Sequence, residues 1–391
     1  MTTLGSSRPG PTPAALDRWE GDVAGTRVLA GPGILADLGA IAAGAGARRV
    51  LLVGDRGVAE AGHVRRAADS LEAAGLVVEP FIDAERQPTS DGVERAARRL
   101  ADGSRDLIVA VGGGSVLDTA KALNLLLAGG GQIEDYWGSG RARGALLPAI
   151  GVPATAGTGS EAQSYAVIAR STDGRRMACG DRRARFHTAL LDPEVVATAP
   201  APVAAAAGLD AVSHALESWV SLRRTPVSSL YAREAWRLLT DHLAPHLADP
   251  GDRRHGAAAL FAAHLAGAAI EQSMLGAAHA AANPLSARHG VVHGIAVALT
   301  LPAVVRWNAA TVGSLYEELD PEGGEALARR VEALRRAAGL PVSLEEAGVP
   351  PAAIPELARL ACEEWTGIFN PRAMSNRDFE EVYQQIHAAG R

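Results

Sequence analysis

The run Asp106-Leu107-Ile108-Val109-Ala110-Val111 passes without a break into Gly112-Gly113-Gly114-Ser115, and a helical pattern over Val116–Leu127 begins at once. An apolar run of this length, rich in branched residues, predicts a strand buried on both faces. Such a strand needs helices above and below it, which places it in a parallel sheet. Its neighbours agree. Arg49–Gly54 predicts a strand followed by a helix over Ala59–Ala74, Leu76–Ile82 a second strand, and Asp91–Ala101 a second helix. Tyr165–Ala169 and His187–Leu191 flank the turn-like Ser171-Thr172-Asp173-Gly174, which predicts a hairpin appended to the sheet. Beyond Asp192-Pro193 the pattern is almost entirely helical, an Ala/Leu periodicity broken by Pro and Gly. The expected organisation is a flexible Pro/Gly/Ser-rich tail over residues 1–25, an α/β domain over 26–198, and an all-α domain over 199–391.

The 391 residues suffice for two domains with a large core, and 48% hydrophobic against 21% charged residues is a globular composition. A net charge of −6, with no long basic run, argues against nucleic acid and anionic membrane as partners. Residues 1–25 lack the apolar core of a signal peptide, and Gly256–Ile270 is Ala-rich, contains His264 and reads as a buried helix rather than a membrane span. The two cysteines, Cys179 and Cys362, build no disulfide framework or cysteine zinc module. A cytoplasmic location is expected.

Glycines between a strand and a helix let backbone approach a pyrophosphate, which the helix N-terminus favours with free N–H groups and a positive dipole end. Gly112–Ser115 meets that description, although a tight strand–helix turn would also use it. A second glycine/hydroxyl segment, Thr155-Ala156-Gly157-Thr158-Gly159-Ser160-Glu161, follows another apolar run. Two such loops at the carboxyl ends of strands favour a dinucleotide crossing the sheet edge. Asp55, just past the Val50–Val53 strand, suits adenosine ribose hydroxyls and repels a 2′-phosphate; it would equally serve as a helix N-cap.

In the helical half, Asp210 and His214 stand four apart on one predicted helix and can face a common ion. His279 lies in an Ala-rich helical segment and His293 opens another. One carboxylate and three imidazoles suit Zn2+ or Fe2+. The chain holds 11 histidines, and any pair could be core or surface residues. His289, four before His293, is a rival ligand, and spacing does not choose between His279 and His289.

Together these segments resemble the iron-containing (group III) alcohol dehydrogenase family. Its GGGSxxDxAK pattern is Gly112 to Lys121 here, and its TTAGTGSE segment is Ala154 to Glu161, with Ala154 for the first Thr. Gly208–Glu217 matches GLDAxxHAxE, His279–Gly294 the H-x3-H-P-x9-HG stretch, and Asn370-Pro371-Arg372 a late Asn-Pro-Arg. The resemblance covers nearly everything beyond residue 25. It implies a dinucleotide-binding α/β domain plus a helical domain of dehydroquinate synthase-like architecture, with the active site between them. It implies hydride transfer between NAD(H) and a small alcohol, aldehyde or ketone, a divalent metal (Fe2+ or Zn2+), and a homodimer or larger homo-oligomer. Residue by residue it implies metal ligands Asp210, His214, His279 and His293, siding with His279 over His289. Pyrophosphate contacts fall to Gly113, Gly114 and Ser115; Gly112, Asp118, Thr155 and Thr158 complete the cofactor set, with Asp55 where NAD-preferring members carry an acid. Arg176 falls near a lysine that contacts the nicotinamide-side ribose.

Two departures stand out. The second His of the H-x3-H pair is Asn283, which cannot titrate near neutrality, and a position often aromatic in the family is His289. His289 is therefore expected to take over proton exchange or to bind a polar substrate group, the alternative being a loop histidine with no catalytic part. Two rival functions are weighed. A metal-dependent sugar-phosphate cyclase would need a cluster of Lys/Arg, for which only Arg182, Arg183 and Arg185 offer themselves, and typically a Glu ligand. A nucleotide-binding module with a structural metal is disfavoured by an Asp/His3 set without cysteine.

Overall fold

The computed structural model describes Leu16 and residues 18–389. In chain order the strands are β1 (Trp19–Val23), β2 (Thr26–Ala30), β3 (Arg49–Val53), β4 (Val77–Phe81), β5 (Leu107–Gly112), β6 (Gly138–Ser139), β7 (Ala149–Pro153), β8 (Tyr165–Ala169), β9 (Arg176–Gly180) and β10 (Thr188–Leu191). Helices α1 (Leu38–Gly44), α2 (Arg56–Glu60), α3 (His63–Ala73), α4 (Ser90–Arg99) and α5 (Gly114–Gly129) alternate with them. The remainder is α6 (Pro193–Val196), α7 (Ala201–Val220), α8 (Pro226–Ala248), α9 (Arg253–Ser273), α10 (Ala277–His289), α11 (His293–Glu317), α12 (Gly323–Ala337), α13 (Ile354–Glu363) and α14 (Asn376–Ala388).

The main sheet runs β1-β2-β10-β7-β5-β3-β4 and is parallel except for the β1–β2 pair. Alternation along a strand feeds two cores: Val50 and Leu52 of β3 pack with Leu38, Val64 and Leu71, whereas Leu51 and Val53 pack with Val116, Leu117 and Ala96. The chain moves outward from β3 to β4, then returns to the other side of β3 as β5. This reversal is the topological switch point at which ligands of open α/β sheets bind, outside the carboxyl ends of the strands. Asp55, the Gly112–Ser115 turn and Thr155–Thr158 follow the three neighbouring strands β3, β5 and β7.

Two expectations need correction. The partner of β8 is β9, not the His187–Leu191 segment: Tyr165–Ala169 pairs antiparallel with Arg176–Gly180 across the anticipated turn, in a separate three-stranded sheet with β6. Thr188–Leu191 is instead β10, between β2 and β7 in the main sheet. Its Thr188-Ala189-Leu190-Leu191 is buried throughout, as a strand covered on both faces requires, and an edge hairpin could not use such a sequence. The proposed tail is also too long. Residues 1–15 and 17 lie outside the described residues, but Trp19–Val23 is strand β1, joined to β2 by a turn at Ala24 and Gly25, both at positive φ.

Beyond β10 the chain is helical. The buried carboxylate of Asp192 accepts from the backbone N–H groups of Gly33, Leu35 and Glu194, tying the boundary to the sheet. Gly256–Ile270 is the buried middle of α9, as expected.

Candidate metal and cofactor site

Helix α7 is buried without interruption from Gly208 to Val220, so its polar members Asp210, His214 and Glu217 face protein rather than water. At positions i, i+4 and i+7 they share one face. Small residues let other helices reach that face. A Cβ on Gly294 would lie 2.1 Å from the carbonyl oxygen of Ala206, so α11 starts against the backbone of α7 only because glycine follows His293. Between α9 and α10 the chain bends by 104°, with Met274 in the left-handed region at φ 62°, and α10 then brings His279 onto Glu217.

Three imidazoles converge on one carboxylate oxygen. From Oδ1 of Asp210, Nε2 of His214 lies at 3.4 Å, of His279 at 3.5 Å and of His293 at 3.8 Å. Two donors each about 2.1 Å from a tetrahedral ion stand about 3.4 Å apart, so the spacing suits a divalent ion. Asp210, His279 and His293 each offer one atom within 4.8 Å of the others; His214 stands outside this trio, its ring stacked on that of His279 at 5.2 Å. Oδ1 of Asp210 and Nε2 of His279 are buried without a hydrogen-bond partner, a costly state that coordination would relieve. The donor set, one oxygen and three imidazole nitrogens, fits Fe2+ or Zn2+.

Charge follows burial and neighbours. Burial pulls the His214 imidazole down to about 4 against the attraction of Asp210, and burial with the Arg176 charge holds His293 far below its usual range. Burial thus favours the neutral ring, the form whose lone pair can ligate. Burial would lower His279 too, but the Glu217 and Asp210 carboxylates prevail and raise it to about 9. Burial opposes ionisation of Asp210, yet His214 and the other imidazoles hold it below the usual carboxylate range. An ion held by Nε2 of His279 would take the place of a proton there.

Glu217 closes the Gly208–Glu217 segment, and its role comes from what it meets in the fold. Its Oε2 lies 2.6 Å from Nδ1 of His279 and its Oε1 accepts from the N–H of Ala278 at 2.7 Å. This carboxylate favours the tautomer that leaves Nε2 toward Asp210, as partners behind metal-bound imidazoles generally do. The i+7 spacing from Asp210 was the available signal.

On the nucleotide side the two glycine loops interlock. A Cβ on Gly114 would lie 2.5 Å from Cγ2 of Thr158, and one on Gly113 would meet only Thr155, at 3.6 Å. Gly113 is the N-cap of α5, so the N–H groups at its start have no helical partner and fit a pyrophosphate. The hydroxyl of Ser115 donates to the carbonyl of Arg86, leaving its main chain to do any anion binding. Asp55 caps α2: Oδ1 accepts from Val58 N at 2.9 Å, and Oδ2 has no partner among the described residues. Asp118, expected among the cofactor contacts, has both oxygens occupied by protein. Ser160 donates to Oδ1 at 2.6 Å, Val167 N to Oδ2 at 3.1 Å, and the buried Lys121 ammonium lies 3.3 Å away. It braces the loop rather than reaching past it.

The second loop also touches the helical half. A Cβ on Gly267 of α9 would lie 2.4 Å from the carbonyl oxygen of Gly159; His264 meets Glu161 at 3.1 Å and Ser164 meets Glu271 at 2.6 Å. Arg176 opens β9 partly buried, with no hydrogen bond or ion pair from its guanidinium among the described residues; burial lowers its pKa and the carboxylates of Asp210, Asp118 and Glu364 oppose this. Asn283, one turn beyond His279, donates to Oε2 of Glu364 at 2.9 Å. His289 is the last residue of α10, partly buried and without a hydrogen-bond partner among the described residues, ten positions or about 15 Å of helix from His279. Glu364 was missed altogether, since nothing in its own sequence neighbourhood singles it out. The basic patch is spent locally: Arg183 pairs with Asp181 and binds Ala142 O, and Arg185 binds Ala24 O.

Comparison with known proteins decides what this arrangement belongs to. Residues 25–193 match the family described as iron-containing alcohol dehydrogenase, and residues 204–387 the C-terminal domain of the Fe-containing alcohol dehydrogenase family. The chain belongs to the iron-containing alcohol dehydrogenases. It is 30% identical over 364 residues to the NAD-dependent methanol dehydrogenase of Bacillus methanolicus, covering 90% of this chain and 96% of that one. The alcohol dehydrogenase from Oenococcus oeni superposes with a TM-score of 0.89 at 25% identity, over 95% of this chain and 100% of that one. The sulfoacetaldehyde reductase from Bifidobacterium kashiwanohense, solved with NAD+, gives 0.84 at 26% identity, over 94% and 98%. The chain is thus an oxidoreductase of the iron-containing alcohol dehydrogenase family, and the sugar-phosphate cyclase is not favoured.

Proposed function

We propose that this alcohol dehydrogenase interconverts small alcohols and their aldehydes or ketones, preferring NAD(H) to its 2′-phosphorylated form, with Fe2+ or Zn2+ held by Asp210, His214, His279 and His293. The observation that carries the ligand set is the convergence of three Nε2 atoms on Oδ1 of Asp210 within 3.8 Å. Bound there, the ion supplies Lewis acidity, which eases ionisation of an alcohol and polarises a carbonyl. The protein groups do the rest. Glu217 keeps His279 in the ligating tautomer, the loops Gly113–Ser115 and Thr155–Thr158 hold the pyrophosphate, and Arg176 faces the nicotinamide-side ribose. Working as a homodimer or larger homo-oligomer in the cytoplasm follows from the family likeness. Purified protein loaded with Fe2+ or Zn2+ should form NADH from a C1–C4 series of alcohols and lose that activity on chelation. Equal turnover of chelated protein would refute the metal assignment, and sedimentation gives the assembly state.

A further inference from the structure

The position where the family carries a second histidine is Asn283, and its side chain is not idle. It holds Glu364, a residue of a different element, at the start of the turn Trp365–Phe369 that packs on α10, where a Cβ on Gly367 would lie 3.5 Å from Ala280. Asn283 is one turn from the ligand His279 and on the same face of α10. Oε2 of Glu364 is occupied by Asn283, and Oε1 has no hydrogen-bond partner among the described residues. Through Asn283, Glu364 is tied to the helix that carries His279, one turn from that residue.

We propose that Glu364, positioned by Asn283, is the proton-exchanging group of the cleft, replacing the imidazole that this chain lacks. The inference rests on the dehydrogenase reading above. In the oxidation direction the carbinol C–H bond breaks and its electron pair passes with hydrogen to NAD+, which is reduced. The O–H bond breaks and its proton passes through water to Oε1 of Glu364, then to solvent, while the carbinol is oxidised to a carbonyl. A carboxylate serves only if its pKa is brought toward the working pH. Burial raises Glu364 above the ordinary glutamate range, and the Asn283 hydrogen bond and the charges of Arg175 and Arg176 moderate that rise. The groups around it are Arg175 from the β8–β9 turn, Arg176 from the start of β9, Asn283 from α10, Glu363 beside it, and the buried Tyr383 of α14, whose hydroxyl donates to Ala281 O.

The test is the pH–rate profile of the metal-loaded enzyme with whichever of methanol, ethanol, 1-butanol and 1,3-propanediol it oxidises fastest. Oxidation needs ionised Glu364, so activity should fall as pH drops through its raised pKa. Glu364→Gln should remove that acidic limb and lower kcat by about 100-fold, with KM for NAD+ unchanged, while Glu364→Asp keeps the limb. Asn283→Leu removes a hydrogen bond that favours the charged form and should move the limb to higher pH; it serves also if Glu364→Gln fails to fold. Infrared difference titration provides a readout apart from turnover: a protonated-carboxyl band of the wild type should be missing from Glu364→Gln. An unchanged limb in Glu364→Gln, or its loss in His289→Asn instead, overturns the proposal. No turnover by the wild type with any alcohol or aldehyde would instead count against the dehydrogenase reading.

Discussion

Oε2 of Glu217 lies 2.6 Å from Nδ1 of His279, two buried side chains 62 residues apart that meet because α10 begins directly over α7. The pair sets which imidazole nitrogen faces Asp210. Glu217→Ala should therefore weaken metal binding about 10- to 100-fold, the usual cost of losing a partner behind a ligand. Metal content after dialysis against a graded chelator would show it; retention equal to wild type would mean that His279 needs no such support.

His279→Ala and His293→Ala remove donors from the cluster itself. Turnover should vanish in both, while NADH binding, followed by its fluorescence, stays near wild type because the glycine loops lie on other elements. Near-normal metal content and rate in His279→Ala would displace His279 from the ligand set.

Asp55 has two separable roles. As the N-cap of α2 it is worth about 1 kcal/mol, and Asn caps equally well. As a charge, at about 4 Å and an effective dielectric of 20, it opposes each unit of a 2′-phosphate by about 4 kcal/mol before salt screening. Asp55→Asn should keep the melting temperature yet narrow the NAD/NADP preference, chiefly by improving NADP. Asp55→Ala should narrow it similarly and also lose the cap. Equal use of both cofactors by the unmodified enzyme would contradict the charge argument.

The ammonium of Lys121 is buried between Asp118, Ser160 and the carbonyl of Tyr165. Burial lowers its pKa, and Asp118 is the first group that opposes this. Removing one partner leaves a buried charge uncompensated, so Asp118→Ala should cost about 3–5 kcal/mol of stability. Chemical denaturation measures it; a loss of cofactor affinity with no loss of stability would restore Asp118 to the cofactor contacts.

Gly267→Ala places a methyl group against the backbone of the second glycine loop, 2.4 Å from Gly159 O. Overpacking of this kind costs about 1–3 kcal/mol. Because this is the loop proposed to hold the pyrophosphate, KM for NAD+ should rise more than kcat falls. An unaltered KM would mean that the loop binds cofactor independently of its seat on α9.

The parallel sheet, the strand–glycine–helix junction at Gly112, and the helical second half were legible in the sequence because each rests on local periodicity and backbone permissiveness. So was the Asp210/His214 pair, since four residues of helix bring two side chains to one face. Glu217 was legible by the same rule at i+7, although its meaning required His279 to arrive from elsewhere. Strand pairing was not: Tyr165–Ala169 carries nothing that tells it to take Arg176–Gly180 rather than His187–Leu191, and the burial of β10 between β2 and β7 decided the matter. Nor could spacing choose His279 over His289, because both lie on α10 and only the bend at Met274 and the seat of Gly294 on Ala206 determine which one reaches Asp210. Asn283 and Glu364 are 81 residues apart, and the turn that joins them to one cleft is held by packing on α10 rather than by any pattern in the chain. Local order is written in neighbouring residues, whereas a site built from five separate segments exists only where their helices are packed together.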